Sequence, residues 1–252
     1  MRDTVRKTIL VAFTLCVVCS VMVSAFAVGL REMQDRNKAE DMQKNILQAA
    51  GIYDPAQPVA EQFARFDKKL IDLETGDYVA DGAVDPETYD PRKAAGTPSL
   101  SVEIPAADDL AGIKRREKYA FVYQLMGEGG QVEQYVFPIY GKGLWSTLYG
   151  FMAVGPDLDT VKGITFYQHA ETPGLGGEVD NPRWKALWPG KEIYGDGGDV
   201  ALAVVKGGGS DPTHDVDGLT GATITARGVG NLVKYWFGDD GFGRFIEKHK
   251  AS

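Results

Sequence analysis

The sequence predicts an α+β protein. One N-terminal membrane-spanning helix precedes a domain built on a twisted, largely antiparallel sheet with helices packed on it. Three observations predict this. The run from Thr8 to Leu30 carries no charge. At about 1.5 Å per residue it spans about 34 Å, enough for a hydrocarbon core of about 30 Å. Lys118 to Met126 and Gln131 to Tyr140 flank Gly127-Glu128-Gly129-Gly130, a hairpin signal. Finally, Val229, Leu232, Val233 and Trp236 recur at helical spacing, so one apolar stripe faces a core.

Taken in order, Arg2, Arg6 and Lys7 precede the apolar run against a single Asp3, and the segment after it is mixed in sign. The positive-inside tendency therefore puts the N-terminus in the cytoplasm and the bulk of the chain across the membrane. Ala25-Phe26-Ala27 resembles a cleavage site, so a removed signal peptide is the competing reading. A retained anchor is favoured, because a signal core is only about 7–15 residues long. Cys16 and Cys19 both lie in this run. Two thiols supply half of a four-ligand site, and cysteine in an apolar helix behaves mostly as a small hydrophobe. A metal site shared with other subunits is the alternative.

Arg31 to Ala50 follows a helical pattern with Met42, Ile46, Leu47 and Ala50 on one face, and Gly51 suits its C-terminal cap. Val59, Phe63, Phe66, Leu70 and Leu73 suggest a further helix ended by Gly76. Residues 77–116 are rich in Asp, Pro, Gly and Ala and read as irregular, with a short strand near Leu100 to Ile104. Pro138 suggests that the second hairpin strand lies at an edge or ends there. Leu144 to Val154 and Gly163 to Ala170 extend the sheet. A short helix is expected around Arg183 to Trp188, and Ala201 to Lys206 reads as a buried strand. The expected organisation is 1–7 cytoplasmic, 8–30 transmembrane, 31–116 helical and irregular, and 117–252 the main domain.

The 252 residues carry a net charge of −8 with a pI near 5.0, and no basic patch interleaved with aromatics. A nucleic-acid partner is therefore not expected. No GxGxxG fingerprint follows a strand, which argues against bound NADH. Asp215, Asp217 and Gly218 fail the EF-hand spacing, since Thr213 and Ile224 would fall at its end positions. His169, His214 and His249 show no paired ligand spacing, so no metal site is assigned.

Three segments carry the candidate chemistry. In Tyr140-Gly141-Lys142-Gly143-Leu144-Trp145-Ser146-Thr147, Lys142 can face a phosphate and Trp145 offers an aromatic surface. It is not a Walker A loop, and its bland reading is a glycine turn with a core tryptophan. His169-Ala170-Glu171-Thr172-Pro173-Gly174-Leu175-Gly176-Gly177 is a polar cluster on a rigid turn, suited to presenting backbone to a ligand or simply to turning the chain. The third is Asp217-Gly218-Leu219-Thr220-Gly221-Ala222-Thr223, which runs into the amphipathic helix. Thr223 falls at or near the first turn, where free N–H groups and the helix dipole favour a phosphate. Gly221 and Ala222 let a bulky ligand approach. The plain alternative is a helix N-cap.

The third segment resembles the Asp-x-x-[Ser/Thr]-Gly-Ala-Thr motif of FMN-binding domains, in which the flavin phosphate is esterified to the last threonine. All three segments, the anchor and Gln43-Lys44-Asn45-Ile46-Leu47-Gln48-Ala49-Ala50-Gly51 together resemble the C subunit of the bacterial sodium-translocating NADH:quinone reductase, over nearly the whole chain. Thr220 stands where serine is commoner. The resemblance implies a single-pass inner-membrane protein with a periplasmic FMN-binding domain, a subunit of an oxidoreductase with no independent catalysis and no catalytic residue. It implies FMN attached by a separate flavin transferase, and the other subunits of the complex as partners. It makes Thr223 the FMN acceptor, with Thr220, Gly221 and Ala222 shaping the loop. Lys142 would balance phosphate charge; Trp145, Thr172 and Leu175 would wall the ring; Glu171 would orient it; Gly174 belongs to the same cofactor-binding turn; Asp217 would support attachment. The flavin subunit of the ferredoxin-NAD electron-transport complex, or a membrane-anchored FMN sensor or assembly protein, are the other readings.

Overall fold

The structure, a computed structural model, describes residues 2–80 and 84–250. Met1 of the expected cytoplasmic segment, residues 81–83 of the expected irregular region and residues 251–252 lie outside it. The chain divides into two compact units, Met1–Met42 and Gln43–Ser252. The first contains helix α1 (Arg2–Gly29) and the start of α2 (Arg31–Ala49). Thr4–Gly29 is long and apolar enough to cross a membrane, with a mean hydropathy of 2.6 and no part of it buried.

The second unit begins with the end of α2, where Ile46, Leu47 and Ala49 are buried. Gly51, at φ +71°, stops this helix. The amide of Ile52 returns to the Leu47 carbonyl and that of Gly51 to Gln48, a Schellman-type end. Met42, expected on the buried face, is 41% exposed. Next come α3 (Val59–Phe63), β1 (Phe66–Asp72), α4 (Pro91–Ala95), β2 (Ser101–Glu103) and β3 (Arg115–Glu117). The strands β4 (Tyr119–Met126), β5 (Val132–Lys142), β6 (Thr147–Val154) and β7 (Val161–Gln168) follow. A 3-10 turn at Gly176–Asp180 leads to α5 (Pro182–Lys185), β8 (Ala203–Val205), β9 (Asp215–Asp217), α6 (Thr223–Phe237) and α7 (Gly243–Lys250).

The main sheet has the order β1-β4-β5-β6-β7 and every pairing is antiparallel. Its central strands are buried on both faces. Ala120 and Val122 of β4, with Met152 and Val154 of β6, join the large cluster holding Trp236, Phe237 and Phe245. The intervening Phe121, Tyr123, Phe151 and Ala153 join the cluster holding Ile46, Ala49 and Val136. This period of two puts α6 and α7 over one face and the end of α2 over the other. Gly163 of β7 permits that second layer, because a Cβ there would run into the Ala49 carbonyl.

Three expectations are corrected. The helical pattern ending at Gly76 is helical only over Val59–Phe63; Phe66–Asp72 is strand β1. Its Leu70 and Ile71 point into opposite clusters, which a strand allows and one helix stripe does not. Pro138 lies on the central strand, not at an edge. The β4–β5 ladder stops at Tyr123↔Val136, so Pro138 pairs with Phe151 of β6 alone. The missing N–H ends a ladder on one side without ending the strand. Ala203–Val205 is half-buried, paired in parallel with β9 outside the main sheet.

Candidate functional site: the loops around the start of α6

The β5–β6 hairpin closes through a tight loop in which the Gly143 amide donates to the Ser146 carbonyl (2.8 Å). A Cβ on Gly143 would stand 2.6 Å from Glu171 Oε1, so a side chain there would push the carboxylate from its place. Leu144 and Trp145 project outward, and Trp145 is 67% exposed. The reading of Trp145 as a core residue is therefore wrong; its indole stands at the loop tip beside the exposed Leu144, available to an apolar ligand. Lys142 is also exposed. Its carbonyl lies against Gly228 of α6, where a Cβ would collide with it.

The second segment is fixed from behind. The Glu171 amide donates to His169 Nδ1 (3.2 Å), leaving Nε2 to donate to Asp180 (2.8 Å). The Thr172 carbonyl accepts from the amides of Leu175 (3.1 Å) and Gly177 (2.9 Å), and Gly174 takes φ +75° in the turn between them. Thr172, Pro173 and Gly174 face solvent, and Leu175 is 44% exposed. Glu171 is buried. Its carboxylate accepts from the amides of Trp145 (2.9 Å), Ser146 (3.1 Å) and Leu144 (3.3 Å), and from the Thr225 hydroxyl (2.6 Å). Burial works against its charge, but these donors prevail and hold the carboxyl below the usual range. The Glu171 carboxylate is thus occupied by the protein itself.

The third segment leaves β9 through Asp217, whose side chain is exposed and whose carbonyl accepts from Trp184 Nε1 (2.7 Å). Gly218 donates to the Val205 carbonyl (2.7 Å). Gly221 has φ +76°, and a Cβ there would reach within 3.1 Å of Leu175 Cδ2. That contact brings the second and third segments together. The N-cap of α6 is Ala222, buried and with no side-chain cap, so Thr223 is the first helical residue and not the cap. Its side chain is exposed. The opening amides of α6 are thus left without a capping side chain at the positive end of the helix dipole.

A cavity of about 390 Å³ adjoins this turn. Thr220, Gly221 and Thr223 line it, together with Lys206 and Arg227. Lys142 and Asp217 do not line it. The sequence alone does not single out Lys206 or Arg227. Arg227 carries a signal, since it lies four residues after Thr223 and hence on the same helix face. Thr225 and Ser146 also escape sequence reasoning; a hydroxyl two residues from Thr223 has no distinguishing pattern until Glu171 is seen to reach it. A larger cavity, about 640 Å³ beside Tyr194 and Phe237, shares none of the candidate residues.

Two cations and an uncapped helix start thus flank one exposed threonine hydroxyl, and the exposed Leu175 lies against Gly221 of the same turn. This suits a planar apolar ring carrying a phosphate, and FMN fits it. A family model described as FMN-binding domain matches residues 143–238, which contain all three segments from Gly143 onward. The class is therefore that of FMN-binding-domain proteins. The chain is 49% identical to the C subunit of the Na(+)-translocating NADH-quinone reductase of Pseudomonas aeruginosa, covering 97% of this chain and 96% of that one. It is 48% identical to the same subunit of Haemophilus ducreyi, over 100% of this chain and 96% of that one. The crystal structure of Shewanella oneidensis NqrC superposes with a TM-score of 0.79 at 39% identity, covering 86% of this chain and 100% of that one. The chain belongs to the NqrC family, the C subunits of the Na(+)-translocating NADH-quinone reductases.

Proposed function

We propose that this protein is the electron-carrying C subunit of a membrane-bound, Na⁺-translocating NADH:quinone oxidoreductase, holding FMN through a phosphoester to Thr223. The supporting observation is the exposed, non-capping Thr223 at the first position of α6, beside Lys206 and Arg227. Lys206, Arg227 and the opening amides of α6 would hold the phosphate. Thr220, Gly221 and Ala222 shape the loop, and Gly174 turns the chain that presents Leu175. Trp145, Thr172 and Leu175 would wall the ring. Lys142 adds positive charge at the hairpin base, and Asp217 marks the loop for the attaching enzyme. When bound, FMN supplies one- and two-electron redox chemistry; the protein binds, orients and shields it.

Residues 8–30 would anchor the chain once in the bacterial inner membrane, with 1–7 cytoplasmic and the periplasmic part divided into 31–116 and the FMN-binding 117–252. Partners are the other subunits of the complex, a flavin transferase and the lipid bilayer. The test is intact mass and in-gel flavin fluorescence of the denatured, detergent-purified chain co-expressed with a flavin transferase. Wild type should gain the mass of FMN less one water, and Thr223→Ala should not. Flavin surviving denaturation in Thr223→Ala would overturn the assignment.

A further inference from the structure

Glu171 is the point where three distant pieces of chain meet. Its carboxylate takes amide hydrogens from Leu144, Trp145 and Ser146, a long contact from the Ser146 hydroxyl (3.5 Å), and the hydroxyl of Thr225 in α6 (2.6 Å). The Ser146 hydroxyl in turn accepts from the Ala170 amide (2.8 Å). Gly143 and Gly176 both press on this carboxylate, since a Cβ on either would approach its oxygens to 2.6 and 2.7 Å. Three of these partners are amide N–H groups that can only donate, and the Ser146 and Thr225 hydroxyls turn their hydrogens toward it as well; an acceptor-only carboxylate takes all five. Side chains reaching solvent from the same loop, Leu144 and Trp145, make no comparable anchor of their own.

From this geometry we infer that Glu171 is a positioning residue: a buried anion that clamps the Trp145 loop to the first turn of α6 before any cofactor arrives, and leaves a fixed negative charge beside the flavin site. The inference rests on the reading of Thr223 as the FMN site, and replaces the expectation that Glu171 orients the ring directly with one in which it acts through the Trp145 loop. Two consequences follow. The clamp is made entirely of protein groups, so the loop should hold its shape without the flavin and its wall should be formed at little cost on binding. The fixed charge opposes the arrival of an electron at the flavin, so it lowers the reduction potential.

The test uses the full detergent-solubilised chain in wild-type, E171Q and E171D forms. In flavin-free protein, made without the transferase, amide exchange of residues 144–146 should accelerate about tenfold or more in E171Q, as loss of charge-assisted hydrogen bonds requires. In flavin-loaded protein the midpoint potential of E171Q should move positive. E171D keeps the charge and should retain the wild-type potential more closely than E171Q. If E171Q does not fold, Thr225→Val severs the helix side of the clamp and should also accelerate exchange at 144–146. Unchanged exchange in the variant obtained, or an unchanged potential in folded E171Q, overturns the inference. The exchange arm needs no flavin, and intact mass reports attachment separately, so failure of the Thr223 reading is distinguishable from failure of the clamp.

Discussion

Two buried glutamates of this protein respond to pH in opposite directions. Glu117 is almost fully buried and accepts from the Tyr140 hydroxyl (2.5 Å). Burial dominates and pushes its pKa up to about 7, from an ordinary 4.5. A carboxyl whose folded pKa is raised contributes full stability below its unfolded value, and that contribution is lost as pH climbs through the folded one. The window is therefore from 4.5 to about 7, and a shift of this size costs about 3 kcal/mol at its upper end. Glu117→Gln keeps an acceptor for Tyr140 and cannot ionise. It should be the more stable chain in urea unfolding at about pH 8, and lose that advantage near pH 4. Glu171 has the opposite sign. Its lowered pKa means stability present above 4.5 and lost as pH falls through the folded value. The acid-side drop in the urea midpoint should shrink in Glu171→Gln. Near the proposed phosphate site, Arg227→Ala should slow flavin attachment several-fold, by about 1 kcal/mol for one exposed charge-assisted contact, in a time course of intact mass with limiting transferase.

At the level of elements, α6 joins the fold to the site. Its stripe of Val229, Leu232, Val233 and Trp236 is completely buried, and Trp236 Nε1 donates to the Tyr140 carbonyl (2.6 Å) at the end of β5. The helix comes this close because residue 228 is glycine. Gly228→Ala tests which effect wins. Alanine improves helix propensity by about 1 kcal/mol. Its Cβ would nevertheless collide with the Lys142 carbonyl, a backbone atom that cannot swing aside. Net destabilisation by about 1–3 kcal/mol is expected in urea unfolding. Because Lys142 adjoins the Trp145 loop, the same substitution should speed amide exchange at 144–146. A stabilised Gly228→Ala chain would show that helix and hairpin are not in contact as described.

For the whole molecule, the core of the second unit begins at Ile46; among the described residues, none before it is a buried hydrophobic. A chain starting at residue 31 should therefore fold as a water-soluble protein. Its far-UV circular dichroism per residue should lose only the helical share of α1, and its urea midpoint should match that of the detergent-solubilised full chain. The same truncated chain should still accept FMN at Thr223 when exposed to the transferase. Loss of cooperative unfolding on truncation would show that α1 contributes to the core.

The sequence by itself determined the α+β class, the long apolar N-terminal helix, the hairpin around Gly127 to Gly130, the buried stripe of α6 and the position of Thr223 at its first turn. These rest on local periodicity, turn chemistry and a contiguous motif, all written within a few residues of one another. Only the tertiary structure decided that Phe66–Asp72 is a strand, that Pro138 sits on the central strand, and that Trp145 points outward. Each depends on a neighbour far along the chain: β4 for the first, the one-sided ladder to β6 for the second, the Glu171 carboxylate beneath the loop for the third. Lys206 beside Thr223, and the clamp from Glu171 to Thr225, were hidden for the same reason, whereas Arg227 shares the helix face of Thr223 and is marked out only once the cavity beside them is seen. Hydrogen bonds and shared cavities between separate segments leave no period in the sequence; they exist only once the sheet has set the distance between its loops.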